Sequence, residues 1–240
     1  MSKIIVVTGA SVGIGAAILR QLAEEGHQVV GLARRPELIE TLAKENPGWK
    51  VHALKADVTK DSDVIEAFTW IKNKFGKIDV MINNAGCSEP TMLSDGNIDT
   101  WRKMYDLNVF AVGSCIRETL KIISDEGNII NVSSVLGQET CSFPGFAVYS
   151  STKHALKCLT KGLRAELHEN RPGIKVTLLN PGLVETPMTA GAIGSSDGVL
   201  STMPFLQAED IARAASYIVS TPKFVDVTEL TVQHSGEYCK

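Results

Sequence analysis

The chain of 240 residues is 44% hydrophobic and 21% charged, enough to bury the core of one large domain or of two small ones. Its net charge of −3 excludes the basic footprint of a nucleic-acid binder, and no apolar run approaches the ~20 residues of a membrane span. The five cysteines (Cys87, Cys115, Cys141, Cys158, Cys239) are odd in number, widely spaced and free of any Cys-x-x-Cys; this excludes a disulfide framework and a zinc site and points to a reducing, cytoplasmic setting.

Ile4–Thr8 reads as a short buried strand closed by Gly9, too short for a signal-peptide core. Gly13–Glu25 carries Ile14, Ile18, Leu19 and Leu22 at helical spacing and stops at Gly26. Gln28–Ala33 is a second strand, and Pro36 opens a helix through Ala43. Val51–Asp57 is a third strand, followed by a helix over Asp61–Phe75 with Val64, Ile65, Phe68 and Ile71 on one face. Ile78–Asn83, nearly all apolar, is a strand buried on both faces. Asn97–Ser124 reads as one long helix, Asn128–Val132 as a fifth strand, and Phe146–Glu169 as a helix. Lys175–Leu179 is a sixth strand, Leu183–Phe205 a looser glycine-containing segment, Ala208–Ser220 a helix and Glu229–Gln233 a last strand.

Short apolar strands alternating with helices from end to end predict a single α/β domain. Its seven-stranded parallel sheet is doubly wound, a Rossmann fold with helices on both faces. Such sheets bind ligands outside the carboxyl ends of their strands, so the residues after each strand are where chemistry is expected.

Strand one is followed by Thr8-Gly9-Ala10-Ser11-Val12-Gly13-Ile14-Gly15. Three glycines between strand and helix let the backbone turn tightly and approach a dinucleotide pyrophosphate at the helix N-terminus. The spacing is Gly-x-x-x-Gly-x-Gly, and no Gly-Lys-Ser/Thr suggests a triphosphate loop. Strand two ends at Arg34-Arg35. Arginine there accommodates a 2′-phosphate where an acid would take the free hydroxyl, which indicates NADP(H), with Arg34 the main contact, Arg35 a stacking partner for adenine and Ser11 within reach of the 2′-phosphate. Asp57-Val58 follows strand three; the carboxylate suits the adenine amino group and a helix cap about equally. Asn84-Ala85-Gly86 follows strand four, where small residues admit a flat ring closely.

Tyr149 and Lys153 lie four residues apart, on one face of a helix. A phenol titrating near 10 needs help to act at neutral pH, and a neighbouring ammonium can give it. In isolation the pair reads as two surface residues of an amphipathic helix, because the pattern is common by chance.

Taken together, Thr8–Gly15, Asn83–Gly86, Asn108 within Leu107-Asn-Val109, Ser134, Tyr149-Ser-Ser-Thr-Lys153 and Pro181-Gly182 resemble the short-chain dehydrogenase/reductase family over essentially the whole chain. Gly31–Arg35, His52–Lys55 and Trp101–Lys103 are similar to its insect farnesol dehydrogenase-like branch, itself like the vertebrate dehydrogenase/reductase member 11. The resemblance implies Tyr149 as general acid or base and Lys153 as ribose ligand and phenol tuner. It implies Ser134 as hydrogen-bond partner of the reacting oxygen. Asn108 would hold a backbone geometry and a water that relays protons to Lys153. It further implies cofactor contacts from Gly9, Ser11, Gly13, Ile14, Gly15, Asn84, Ala85, Gly86, Pro181, Gly182, Val184 and Thr186. The expected substrate contacts are Ser134, Cys141, Phe143, Phe146, Tyr149, Leu183, Met188, Met203 and Phe205, a mainly apolar set. They suit a hydrophobic aldehyde, ketone or alcohol such as an isoprenoid or steroid, with 183–205 as a lid. Cys87 reads as inert packing and His154 as surface. The helices over 97–124 and 146–169 are expected in homodimer or homotetramer contacts. A non-catalytic NADP(H) sensor on the same fold is the alternative, and an epimerase or dehydratase a weaker one for want of a longer substrate domain.

Overall fold

The computed structural model describes residues 2–139, 144–193 and 204–237. Its centre is a seven-stranded sheet in the order β3-β2-β1-β4-β5-β6-β7, every pair parallel. The strands are β1 (Ile4–Thr8), β2 (Gln28–Ala33), β3 (Lys50–Lys55), β4 (Ile78–Asn83), β5 (Ile123–Val132), β6 (Lys175–Pro181) and β7 (Glu229–Val232). The order reverses between β1 and β4, which opens a crevice beyond their carboxyl ends.

The period-two alternation of each strand divides the core. Ile5 and Val7 of β1 face one layer with Ile18, Leu19 and Leu22 of α1 (Gly13–Glu24) and Ile211, Ala215 and Ile218 of α8 (Ala208–Ser220). Val6 points the other way, into a layer with Val64, Phe68 and Ile71 of α3 (Asp61–Phe75), Cys115 of α5 (Ala111–Leu120) and Leu163 and Leu167 of α6 (Ala147–Asn170). Parallel strands buried on both faces must read as nearly continuous apolar runs, as the central β1, β2 and β4 do. The remaining helices are α2 (Pro36–Glu45), α4 (Ile98–Tyr105) and α7 (Pro187–Ile193).

Two expectations need correction. The stretch over 97–124 is not one helix. It is α4, then a π-helical turn at Asp106–Phe110 in which the Ala111 amide reaches back to the Asp106 carbonyl, then α5, which ends at Leu120. Ser124 instead belongs to β5, which starts five residues before Asn128. The polar run Ser124-Asp-Glu-Gly127 hid that start because it lies in an irregularity of the ladder with β4, which pairs Ile123 with Ile78 and resumes only at Asn128 opposite Val80.

Candidate active site

The turn after β1 is built by close approach. Gly9 and Gly13 have φ of 66° and 57°, in the left-handed region that side chains disfavour. A Cβ on Gly9 would stand 2.9 Å from the Ala85 Cα, and one on Gly15 would collide with the Gly9 carbonyl oxygen. Thr8, to which sequence reasoning gave no separate role, stitches this turn to the end of β4: its Oγ1 accepts from the amides of Asn84 and Ala85, both at 3.0 Å. The Asn84 Nδ2 returns a bond to the Thr8 carbonyl at 2.9 Å. Val12, at the N-cap of α1, gives no side-chain cap, and the first turn holds no acid. The first amides of the helix are thus aimed into the crevice, the donor set an anionic phosphate requires. Gly15→Ala is expected to lower stability by about 1–3 kcal/mol, seen as a lower guanidinium midpoint, because a backbone oxygen blocks the added methyl.

The crevice is a cleft of about 720 Å³. Its adenine end, at β2 and β3, is lined by Ser11, Gly13, Ile14, Arg34, Arg35, Asp57 and Val58. Both arginines are exposed, and Arg34 lies close enough to Asp57 to act on its carboxyl. Burial pushes that carboxyl up, but two hydrogen bonds from Thr59 and the Arg34 charge outweigh it and hold it below its usual value. Asp57 Oδ1 accepts from the Thr59 amide at 3.1 Å and hydroxyl at 2.7 Å. It therefore orders a turn and faces the cleft at once; the N-cap of α3 is Lys60. Lys103 of α4 also lines the cleft, in ion-pair contact with Glu89, and sequence reasoning gave it no place there.

Tyr149, Lys153 and Ser134 meet at the carboxyl end of β5. Tyr149 is hydrogen-bonded to Ser134, whose Oγ also accepts the Leu136 amide at 3.1 Å. Ser133 points elsewhere, toward the Lys153 carbonyl at 3.4 Å. Lys153 Nζ donates to the Val132 carbonyl at 3.1 Å and lies 5.7 Å from the centroid of the Tyr149 ring. Asn108, buried in the π-helical turn, does not line the cleft. Its amide clamps the Cys87 backbone, accepting from N and donating to O, both at 2.9 Å, and donates to Thr152 Oγ1 at 3.0 Å. It thereby joins the loop after β4 to α6 (Ala147–Asn170).

Burial pushes the Tyr149 phenol up to about 12, against the Ser134 hydrogen bond and with the Cys87 thiol adding to the rise. Burial lowers Lys153 in turn, to about 8. The Cys87 thiol is raised, by burial first and then by Glu89, which fits inert packing. An unfolded lysine titrates near 10.4. Between about 8 and that value the folded chain binds fewer protons than the unfolded chain, so this residue makes stability rise with pH across the window, and the gain is lost as pH falls through about 8. Between pH 7.5 and pH 10 the unfolding free energy of the wild type should gain about 2–3 kcal/mol on that of Lys153→Met, read from denaturation curves at the two pH values.

At the other end of the cleft the lining includes Pro181, Gly182, Leu183, Val184, Thr186 and Met188, with the buried Phe146 at the start of α6. A Cβ on Gly13 would meet Thr186 at 3.4 Å, which sets the loop after β6 against the glycine turn. Phe205, expected among the substrate contacts, does not line the cleft. It flanks Leu206, which pairs with Val184 and so turns the returning chain onto the neck of the loop. Cys141, Phe143 and Met203 lie outside the described residues. Glu237 lines this end of the cleft; no motif marks it, because it meets Leu183 from 54 positions away in the sequence. His154 is exposed, with Nδ1 2.9 Å from the Ser150 carbonyl.

Residues 3–194 match the short chain dehydrogenase family. The chain is 39% identical to a farnesol dehydrogenase of Aedes aegypti, covering 98% of this chain and 97% of the relative. It is 38% identical to dehydrogenase/reductase SDR family member 11 of Gallus gallus, over 96% and 95%. An alcohol dehydrogenase from the archaeon Thermococcus sibiricus, solved in complex with 5-hydroxy-NADP, superposes with a TM-score of 0.88 at 27% identity over 100% of both chains. With its sheet order, its glycine turn and the Ser134–Tyr149–Lys153 cluster, the chain belongs to the short-chain dehydrogenase family.

Proposed function

We propose that the protein is an NADP(H)-dependent oxidoreductase that interconverts a hydrophobic carbonyl and its alcohol. The observation that carries this reading is the Tyr149 phenol, half-buried in the cleft wall, bonded to Ser134 and one helical turn from Lys153, at the end of a cleft whose other end presents Arg34 and Arg35. When bound, the nicotinamide supplies or takes the hydride. The chain's own groups then handle the proton. Tyr149 Oη donates it to the nascent alkoxide in reduction and withdraws it in oxidation. Ser134 Oγ holds the reacting oxygen, and Lys153, whose amine donates to the Val132 carbonyl, would hold the ribose of the bound cofactor. Asn108 is a positioning residue, since it touches the Cys87 backbone and Thr152.

The cofactor fits on three counts: the uncapped start of α1, the cradle that a Cβ on Gly9 or Gly15 would fill, and arginines where a 2′-phosphate would lie. The NADP-complexed archaeal structure supports the same choice. Phe146, Leu183 and Met188 make the substrate end apolar, and the farnesol dehydrogenase relative supports an isoprenoid, with steroids and other ketones or aldehydes as further candidates. The segment 183–205, whose neck is tied by a Val184–Leu206 bridge, is assigned as the substrate loop. Exposed Phe110 and Leu159 near α5 and on α6 support a homodimer or homotetramer built on those helices. Free Cys87, Cys115 and Cys158 support a cytoplasmic setting, and among the described residues no helix is long and apolar enough to cross a membrane. A non-catalytic sensor has no need of a placed phenol.

A panel of carbonyls and alcohols followed by NADPH absorbance, including farnesal, farnesol and ketosteroids, tests the reading. Turnover of neutral apolar substrates is expected, and a charged sugar or polyol as best substrate would overturn it.

A further inference from the structure

Glu237 is the acidic residue of the cleft at its substrate end. The other lining acids, Asp57, Asp99 and Asp106, come from the residue run after β3, from α4 and from the π-helical turn. Both Glu237 carboxylate oxygens lie 3.1 Å from the Leu183 amide. The carboxylate packs so closely on Gly182 that any Cβ there would collide with it. Its backbone is set by a turn in which the Glu237 amide donates to the His234 carbonyl at 2.8 Å and the Gly236 amide to His234 Nδ1 at 3.0 Å. A Cβ on Gly236 would meet Pro204 at 3.3 Å, so this turn also touches the returning end of the substrate loop. Among the described residues no cation pairs with the carboxylate. One shared amide leaves most of its acceptor capacity directed at whatever occupies the cleft.

We propose that Glu237 is a specificity-determining residue: its fixed carboxylate gives the substrate end a negative charge that admits neutral carbonyls and alcohols and rejects those carrying a carboxylate. This rests on the oxidoreductase reading of the same site. Glu237 is half-buried against Gly182 and the Leu183 amide, so bulk water screens it only in part, and like charges brought together there repel. Lys153 is the one cation close to the reacting groups here among the described lining residues; its amine is turned to the Val132 carbonyl and stands on the β5 side.

The test compares a twelve-carbon aldehyde with the same aldehyde bearing a terminal carboxylate, in the wild type, Glu237→Gln and Glu237→Ala. Glutamine keeps an acceptor for the Leu183 amide and removes the charge; alanine removes both. The wild type should prefer the neutral aldehyde in kcat/KM, and Glu237→Gln should raise the anionic-to-neutral ratio of kcat/KM by about 10-fold or more. An anionic-to-neutral ratio identical in wild type and Glu237→Gln overturns the proposal. A second arm measures binding alone: Kd values of dodecanoate and dodecanamide by calorimetry. Tighter binding of the amide in the wild type, with the gap closing in Glu237→Gln, supports the charge filter. Equal binding, no binding of either, or a gap indifferent to the substitution overturns it. Absence of turnover with both aldehydes would defeat the oxidoreductase reading while leaving the binding arm to decide the charge filter.

Discussion

Tyr149→Phe is expected to lower kcat by about 10²–10⁴-fold while leaving the Kd for NADPH within about 3-fold. The substitution removes one oxygen from a ring that is otherwise packed and keeps the aromatic volume, so the fold stays intact. It removes the proton that the product alkoxide must receive, and the bond to Ser134 with it. No other lining group close by can replace it: the Cys87 thiol is held above its usual value by burial and Glu89, and the Lys153 amine is directed to the Val132 carbonyl. Stopped-flow reduction with NADPH fluorescence titration separates the two quantities. Undiminished turnover in the phenylalanine variant would remove Tyr149 from the chemistry and leave the cluster with a binding role.

Arg34→Ala is expected to raise the Kd for NADPH by about 10–100-fold, the equivalent of one or two charge-assisted hydrogen bonds, and to change that for NADH by less than about 3-fold. The side chain is exposed at the end of β2, so its loss disturbs no packing. The wild-type affinity for NADPH should also fall with added salt more steeply than the variant's, since an exposed cation meeting a phosphate is screened. Arg35, at the N-cap of α2, should matter less in the same titration. Equal loss of NADPH and NADH binding would show that Arg34 acts on something common to both, and a native preference for NADH would contradict its assignment.

Much of this was legible in the chain because parallel strands are punctuated by their own chemistry. Each apolar run stops at a residue that faces the cleft, so Gly9, Arg34, Asp57 and Asn84 could be placed in the crevice from their position after a strand. Tyr149 and Lys153 were legible through helical spacing. The long helix was misread because a π-helical turn keeps the apolar rhythm nearly unbroken across Asp106–Phe110; only the backbone bonding reveals it. Phe205 was misplaced because composition says that a loop is apolar, not which way it returns. Glu237 was missed for a third reason: its proximity to Leu183 spans 54 positions of sequence, and no local pattern encodes so distant a contact.

The π-helical turn has a consequence for what length changes the chain tolerates. It is geometrically a single inserted residue, and an α-helix rotates about 100° per residue. Deleting any one residue between Asp106 and Phe110 would let α4 and α5 fuse into a continuous helix, a locally favourable outcome. Everything upstream would then turn by a quarter of the circumference relative to α6. Trp101 would leave the Thr91 hydroxyl it now donates to at 3.0 Å, Lys103 would swing from the cleft, and Asn108 would lose Cys87. The irregular turn thus works as a phase marker: the segment's length is constrained by angle rather than by reach, although nothing about its hydrophobicity records the constraint.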